Sequence, residues 1–256
     1  MNRRVALALV GVLVVACHAC APHRPRNSVI AYPAAGPAQV DRGHLVYQAT
    51  LEDGSRVRRF RLAVALLRPG RFRLEFLAPM GGPRAIIASD GKSLQAAFPP
   101  QRIFAEAPAT PEKMEILLGL PLGPDEFLGL LTGSPSSSVE PSPRPRPGGG
   151  SIQLIYQFDE SLRVRQAQVK VMDAAGSVSL YTVEYLDPWT GPWGVQARQI
   201  RLLHADRVLT LRLKSASRKH PAAEAFQVRV PARFKQVPLH ELPVVGGLLF
   251  DDGGAP

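Results

Sequence analysis

Two successive segments alternate apolar and charged residues with a period of two, and this restricts the chain to an antiparallel sheet with one buried face. Across 57–66, Phe60, Leu62, Val64 and Leu66 share one side, with Arg59 and Arg61 on the other. After Arg68-Pro69-Gly70 the pattern repeats over 71–77, with Phe72, Leu74 and Phe76 opposite Arg71, Arg73 and Glu75. Strand side chains point alternately to opposite faces, so this hairpin turns one face to a core and the other to water. Residues 84–88, the turn Ser89-Asp90-Gly91 and residues 92–98 predict a second hairpin. Strand patterns resume at 152–158, 162–172, 178–186, 195–203, 208–213 and 226–230, with short meander-like turns between the long ones. Ten or eleven strands in one sheet must curl, and the concave face then needs a cover.

Two short helices supply it. Thr110 is placed to cap the first, with Pro111 at its first position, Glu112 in its first turn and Gly119 at its end. Met114, Leu117 and Leu118 line one side. Pro124, Asp125 and Glu126 open the second helix; Phe127, Leu130 and Leu131 form its stripe, and Gly133 stops it. The 25 prolines and 22 glycines among 256 residues keep such helices short. Residues 134–150, rich in Ser, Pro, Arg and Gly, read as a flexible excursion outside the core. No repeat of fixed period occurs. The class is α+β: a curled antiparallel sheet covered by short helices.

The N-terminus bears on compartment. Arg3 and Arg4 precede an apolar run from Val5 to Ala16, the form of an export signal and too short to span a bilayer. The run ends Val14-Val15-Ala16-Cys17, which resembles the lipobox of bacterial lipoprotein precursors. The resemblance implies cleavage before Cys17, a diacylglycerol on its thiol and acylation of the new amino end, so 1–16 is a lipoprotein signal peptide. Multiple acyl chains anchor a protein because each buried methylene contributes about 0.8 kcal/mol. Without that resemblance, an ordinary cleaved signal or a buried thiol would account for the same residues. Cys20 fits the pattern less well, since Cys17 would occupy its aliphatic position, and it receives no role. Residues 17–43, interrupted by Pro22, Pro25, Pro33 and Pro37, read as a lipidated flexible tether.

A net charge of +10 ordinarily points to nucleic acid or an anionic membrane surface. Export excludes nucleic acid as a partner. The arginines then either meet anionic headgroups or form a solvated face. Six histidines, at 18, 23, 44, 204, 220 and 240, show no metal-ligand spacing. No nucleophile turn or phosphate-binding glycine loop is present. Asp53, Asp90, Asp159 and Asp173 fall at predicted turns, where local backbone hydrogen bonding explains them. No catalytic residue, metal or cofactor is expected.

Two apolar segments remain. Residues 77–83 place Met80 at the tip of a Pro/Gly-bounded loop, which either packs under neighbouring loops or dips into lipid, a use suited to flexible methionine. Residues 117–133 have a helix–Pro–helix form that serves most proteins as a satellite core.

Together, in this order, these segments resemble the outer-membrane lipoprotein receptor LolB and its relatives in the LolA-like superfamily. Pro79-Met80-Gly81 matches that family's apolar strand-to-strand loop. Leu117 to Pro121 and Leu128 to Gly133 are similar to its two leucine-rich helical runs. The resemblance spans about Leu45 to Leu239 and, with Cys17, implies an incomplete antiparallel β-barrel over 44–240 whose apolar cavity receives lipoprotein acyl chains. It implies a monomer that takes cargo from a periplasmic LolA-like carrier and inserts it into the outer membrane through Pro79, Met80 and Gly81. This chain has methionine where the family has leucine. His18 after the cysteine, in place of the aspartate that retains relatives at the inner membrane, implies outer-membrane anchoring on the periplasmic face. Residues 134–150 and the apolar tail within 241–256 depart from the family pattern.

The residues themselves leave the cavity open as a question. Phe60, Leu62, Val64, Phe72, Leu74 and Phe76 share a sheet face; Met114, Leu117, Leu118, Phe127 and Leu130 face them from the helices. Met in tight contact, the two faces make a closed core; with a gap, they line a dry, acyl-shaped space. The resemblance implies the gap.

Overall fold

The computed structural model of the chain describes residues 39–78, 82–136 and 142–242. Cys17 and Pro79-Met80-Gly81 lie outside them, as do residues 243–256.

The strands are β1 (Arg42–Asp53), β2 (Arg56–Leu67), β3 (Arg71–Leu77), β4 (Pro83–Asp90), β5 (Ser93–Phe98) and β6 (Ile103–Pro108), then helices α1 (Pro111–Leu118) and α2 (Pro124–Thr132). After these come β7 (Arg144–Pro145), β8 (Ser151–Phe158), β9 (Val164–Met172), β10 (Val178–Gly191), β11 (Gly194–His204), β12 (Arg207–Ser217) and β13 (Lys235–Gln236). The described strands form one 13-stranded sheet in the order β13-β6-β5-β4-β3-β2-β1-β12-β11-β10-β9-β8-β7. Two meanders are thus sewn together where β12 returns to pair with β1, Ala49 opposite Leu211. Every pairing is antiparallel except β13 with β6. The sheet curves around the helices without closing, an incomplete barrel of the class expected.

Alternation sets the faces. Phe60, Leu62, Val64 and Leu66 of β2 and Phe72, Leu74 and Phe76 of β3 are all buried on the concave side, while Arg59 and Arg61 are exposed on the convex side. Each such apolar side chain removed from water contributes roughly 1.5–3 kcal/mol. Both helices end at a left-handed glycine, Gly119 (φ 74°) and Gly133 (φ 63°), the conformation that a residue without Cβ adopts at no steric cost. Thr110 occupies the N-cap of α1 but makes no hydroxyl cap. Its side chain is engaged by Glu112 instead. In α2 the Gly123 N–H donates to Glu126 Oε2 at 2.9 Å.

Several expectations need correction. Three strands go beyond the ten or eleven expected: β6, which reads weakly because both Phe104 and Ala105 are buried on opposite faces, and the two-residue β7 and β13. Residues 226–230 are not a strand. A 3-10 turn (Ala223–Phe226) leads into an irregular segment laid across the convex face, where the Val228 N–H donates to Gln95 Oε1 at 2.8 Å. There Val228 joins Ala88, Ala97 and Phe104 in a small second core. Residues 134–150 also engage the body, among the described ones: Ser134 and Ser136 are buried, Arg144 pairs with Glu126 at 2.5 Å, and Arg146 pairs with Glu115 at 2.5 Å. Those contacts cover the back of α2, so Leu128 is buried as fully as the stripe opposite it.

Arg68, in the β2–β3 turn, ties this end of the barrel together. Its guanidinium donates to Val40 O at 3.2 Å and Ser134 O at 2.5 Å, and it pairs with Asp125 at 3.5 Å. Burial lowers its pKa; Asp125, Tyr156 and Asp41 oppose that shift.

Candidate functional site

Between the sheet and the helices lies a cavity of about 330 Å³. Its first wall is Leu51 of β1, Phe60 and Leu62 of β2, and Leu74 and Phe76 of β3; the Phe60 and Phe76 rings stand 5.9 Å apart. The opposite wall is built by β10, β11 and β12 through Val183, Ile200, Leu202, Leu209 and Leu211. Leu118, Gly119 and Leu120 at the end of α1, with Phe127, Leu130 and Leu131 of α2, close it from above. The α2 cover is held in place by Tyr185, whose hydroxyl donates to Leu130 O at 2.5 Å.

One end of the cavity is polar. The Tyr181 and His204 rings stack at 3.9 Å and 11°, and Arg207, exposed and paired with Asp53 at 3.3 Å, completes the rim. Burial raises the Tyr181 pKa, with Glu115 adding to the shift and Arg146 opposing it, so the phenol stays neutral. The space is apolar along its body and carries its polar groups at one end. It suits a chain of methylenes with a polar head, and 330 Å³ lies near the lower limit of about 300 Å³ for ligand pockets.

Of the eleven residues expected to line a cavity, Phe60, Leu62, Leu74, Phe76, Leu118, Phe127 and Leu130 do so. Val64, Phe72, Met114 and Leu117 belong to the packed core and not to its lining, Phe72 against Phe127 with centroids 5.4 Å apart. The β10–β12 wall was not anticipated. Its signal was present, since 178–186, 195–203 and 208–213 alternate, but the return of β12 to β1 that turns those faces inward is a long-range pairing. The turn carboxylates behave as local structure: Asp90 Oδ1 accepts from Lys92 and Ser93 N–H at 2.8 and 2.7 Å, and Asp173 Oδ1 from Ser177 N–H at 2.8 Å. Among the described residues no three or more His, Cys, Asp or Glu side chains converge as metal ligands, and no helix is long and apolar enough to cross a membrane.

A second cavity, also about 330 Å³, mixes apolar and charged side chains in its lining. It lies between the end of α2 (Thr132, Gly133 and Ser134) and strands β9 to β11, with Asp159, Arg163, Arg165 and Asp187 around it.

No family model and no curated protein matches the chain in sequence. Solved structures match its shape. A LolA superfamily protein of Nitrosomonas europaea superposes with a TM-score of 0.50 at 10% identity, covering 73% of this chain and 90% of that one. A DUF1329 family protein of Desulfovibrio piger gives 0.48 at 8% identity over 73% and 89% of the two chains. A Vibrio parahaemolyticus domain described as outer membrane lipoprotein-sorting gives 0.46 at 9% over 72% and 87%. The half-barrel with two covering helices is a LolA-like fold.

Proposed function

We propose that this chain is an envelope lipoprotein, anchored to the outer membrane through Cys17, that accepts the acyl chains of other lipoproteins in its apolar cavity and passes them to the membrane. The observation that carries the reading is the cavity itself: in a LolA-like fold, the sheet and helices leave an apolar space with polar groups at one end. Transfer needs no covalent step or cofactor. Burial stabilises acyl chains in water by about 0.8 kcal/mol per methylene, and a bilayer offers the same gain, so the chains exchange when the mouth meets lipid. A periplasmic LolA-like carrier supplies the cargo in this reading, and Pro79-Met80-Gly81 contacts the bilayer. Leu77 and Pro83, which bracket that loop, stand at the same end of the sheet as the cavity mouth. The second cavity beside α2, with Asp159, Arg163, Arg165 and Asp187 around it, favours a second reading, an assembly lipoprotein that binds a protein partner on the same fold.

Native mass spectrometry of the purified Cys17→Ala chain with an acylated peptide separates the two. The transfer reading expects one peptide bound per chain, and no binding of the same peptide without its acyl chain. Equal binding of both peptides favours the assembly reading.

A further inference from the structure

The convex face is not uniformly polar. Among the described residues, four exposed apolar side chains lie at the mouth end of the sheet, Val57 on β2 and Met172, Val178 and Leu180 on β9 and β10, at 52, 37, 53 and 46% exposure. The register places them along the rim. Val57 stands opposite Glu52, Glu52 opposite Val208, and Val208 opposite Leu203, forming one row on the outer face of β2, β1, β12 and β11. Met172 pairs with Val178 at the adjoining ends of β9 and β10, and Leu180 pairs with Lys170. An apolar edge therefore follows the rim of the barrel on its solvent side, interrupted by Glu52, by Thr182 opposite Leu203 and by Lys170 beside Leu180.

Behind it the same register sets cations in order. One row back, about 7 Å along the strands, are Arg59, Thr50, Thr210 and Arg201. One row further are Arg61, Gln48, Arg212 and Gln199. Arg201 pairs with Glu184 at 3.0 Å and Arg212 donates to Gln199 at 3.2 Å. Across these rows Arg59, Arg61, Arg201 and Arg212 stand against the carboxylate Glu184, while Lys170 and Glu52 lie in the edge itself.

We propose that this edge is a membrane-docking rim: Val57, Val178 and Leu180 enter the headgroup boundary of an anionic bilayer while Arg59 and Arg61 meet its phosphates. An apolar edge backed by arginines matches the interface, where apolar groups sit about 5–10 Å deep and basic residues hold anionic headgroups. Docked this way, the chain turns Tyr181, His204 and Arg207, and with them the cavity mouth, toward the lipid. The proposal rests on the transfer reading for its purpose but not for the docking itself.

The test uses the full chain with Cys17→Ser and Cys20→Ser, carrying one new cysteine at a time, Val57→Cys, Val178→Cys or Ser161→Cys, labelled with an environment-sensitive fluorophore. Ser161 is exposed in the β8–β9 turn at the opposite end. On vesicles of phosphatidylethanolamine and phosphatidylglycerol, labels at 57 and 178 shift to the blue and are quenched by brominated acyl chains; the label at 161 does neither. Arg59→Gln with Arg61→Gln lowers the vesicle-bound fraction at those positions on the order of tenfold, since each surface cation contributes appreciably to anionic binding. The N-terminal segment is present in every variant, so label position decides the matter rather than vesicle association. Water-like emission at 57 and 178 on bound vesicles, or no association at all, overturns the rim. A blue shift without vesicles that grows with protein concentration overturns it too, because a second copy then covers the edge. Acyl-peptide uptake, measured without vesicles, stands or falls separately.

Discussion

Along β2 and β3 the two ends of the barrel are built by the same alternation, yet one is packed solid and the other is hollow. At the β2–β3 turn end, Leu66 and Phe72 have no exposed surface, and the Phe127 ring packs on Phe72 with centroids 5.4 Å apart. At the other end Leu202, Leu209 and His204 are only half-buried and face the cavity. The cover differs, not the sheet. Arg68 binds the start of β1, the segment after α2 and Asp125 of α2 to the closed end, so the helices are pinned there. At the mouth end the end of α1 and the α1–α2 joint, Leu118, Gly119 and Leu120, bridge over empty space. A protein that must hold and release an apolar guest needs a rigid end for stability and a hollow end for exchange, because a cavity forfeits packing wherever it lies.

That contrast breaks first under truncation of matched aromatics. Phe72→Ala should cost about 3–5 kcal/mol in urea unfolding, the range for a large buried side chain. Phe60→Ala, on the cavity wall, should cost less than half as much, since part of its surface already lacks partners. Equal costs would mean that the hollow end is as tightly packed as the closed one. Next in size is the pin. Arg68→Met strands the carbonyls of Val40 and Ser134 and the Asp125 carboxylate, and should cost about 2–4 kcal/mol. A loss below about 1 kcal/mol would show that apolar packing rather than this network pins α2.

The concave face of β2 and β3 was legible from the sequence because Phe60 to Leu66 and Phe72 to Phe76 alternate without a break and an arginine-bearing turn joins them. Both helix ends were legible too, since Gly119 and Gly133 stop helices by a local rule. The cavity's second wall was not, for it depends on β12 pairing with β1 across more than 150 residues of chain. Burial of Leu128 escaped for a related reason. A helix stripe is read on the assumption that its back faces water, and here Ser134, Ser136 and β8 lie behind it, with Gly129 so close that an added Cβ would meet Tyr156 Oη at 3.3 Å. Segment 226–230 misled because Pro221 and Pro231 bracket a run whose alternation serves to cross the sheet rather than to join it. What local chemistry determines was readable; what distant chain covers was not.

The hollow end is sharpened by filling it. Leu62→Trp places an indole into the cavity and should lower acylated-peptide affinity tenfold or more, equivalent to about 1.4 kcal/mol, with little change in unfolding. The companion substitution Leu66→Trp, at the closed end, should instead destabilise the chain by overpacking, about 1–3 kcal/mol. Unchanged peptide affinity in the first variant would remove the cavity from the binding site.

The smallest effect expected is one of acid, and it belongs to the closed end, where the β4–β5 and β8–β9 turns lie. Burial alone would raise the pKa of Asp90, but N–H donors from Ser93 and Lys92 outweigh it, and the net pKa is lowered. Asp159 follows the same balance: burial raises its pKa, while Arg163 and the Ser161 N–H lower it further. A carboxylate whose folded pKa is depressed binds fewer protons folded than unfolded. Its stabilising contribution is complete above the unfolded value of 3.8 and disappears as pH falls through the folded one. The urea midpoint should therefore be flat from about pH 6 to about pH 5 and drop toward about pH 3. Because both groups are largely exposed, the drop is modest. In the chain carrying Asp90→Asn and Asp159→Asn, the midpoint is lower at neutral pH and its acid slope shallower, as the lost bonds no longer titrate. An acid slope unchanged by the double substitution would assign the loss to carboxylates elsewhere and leave the turns of the closed end without an electrostatic share in its rigidity.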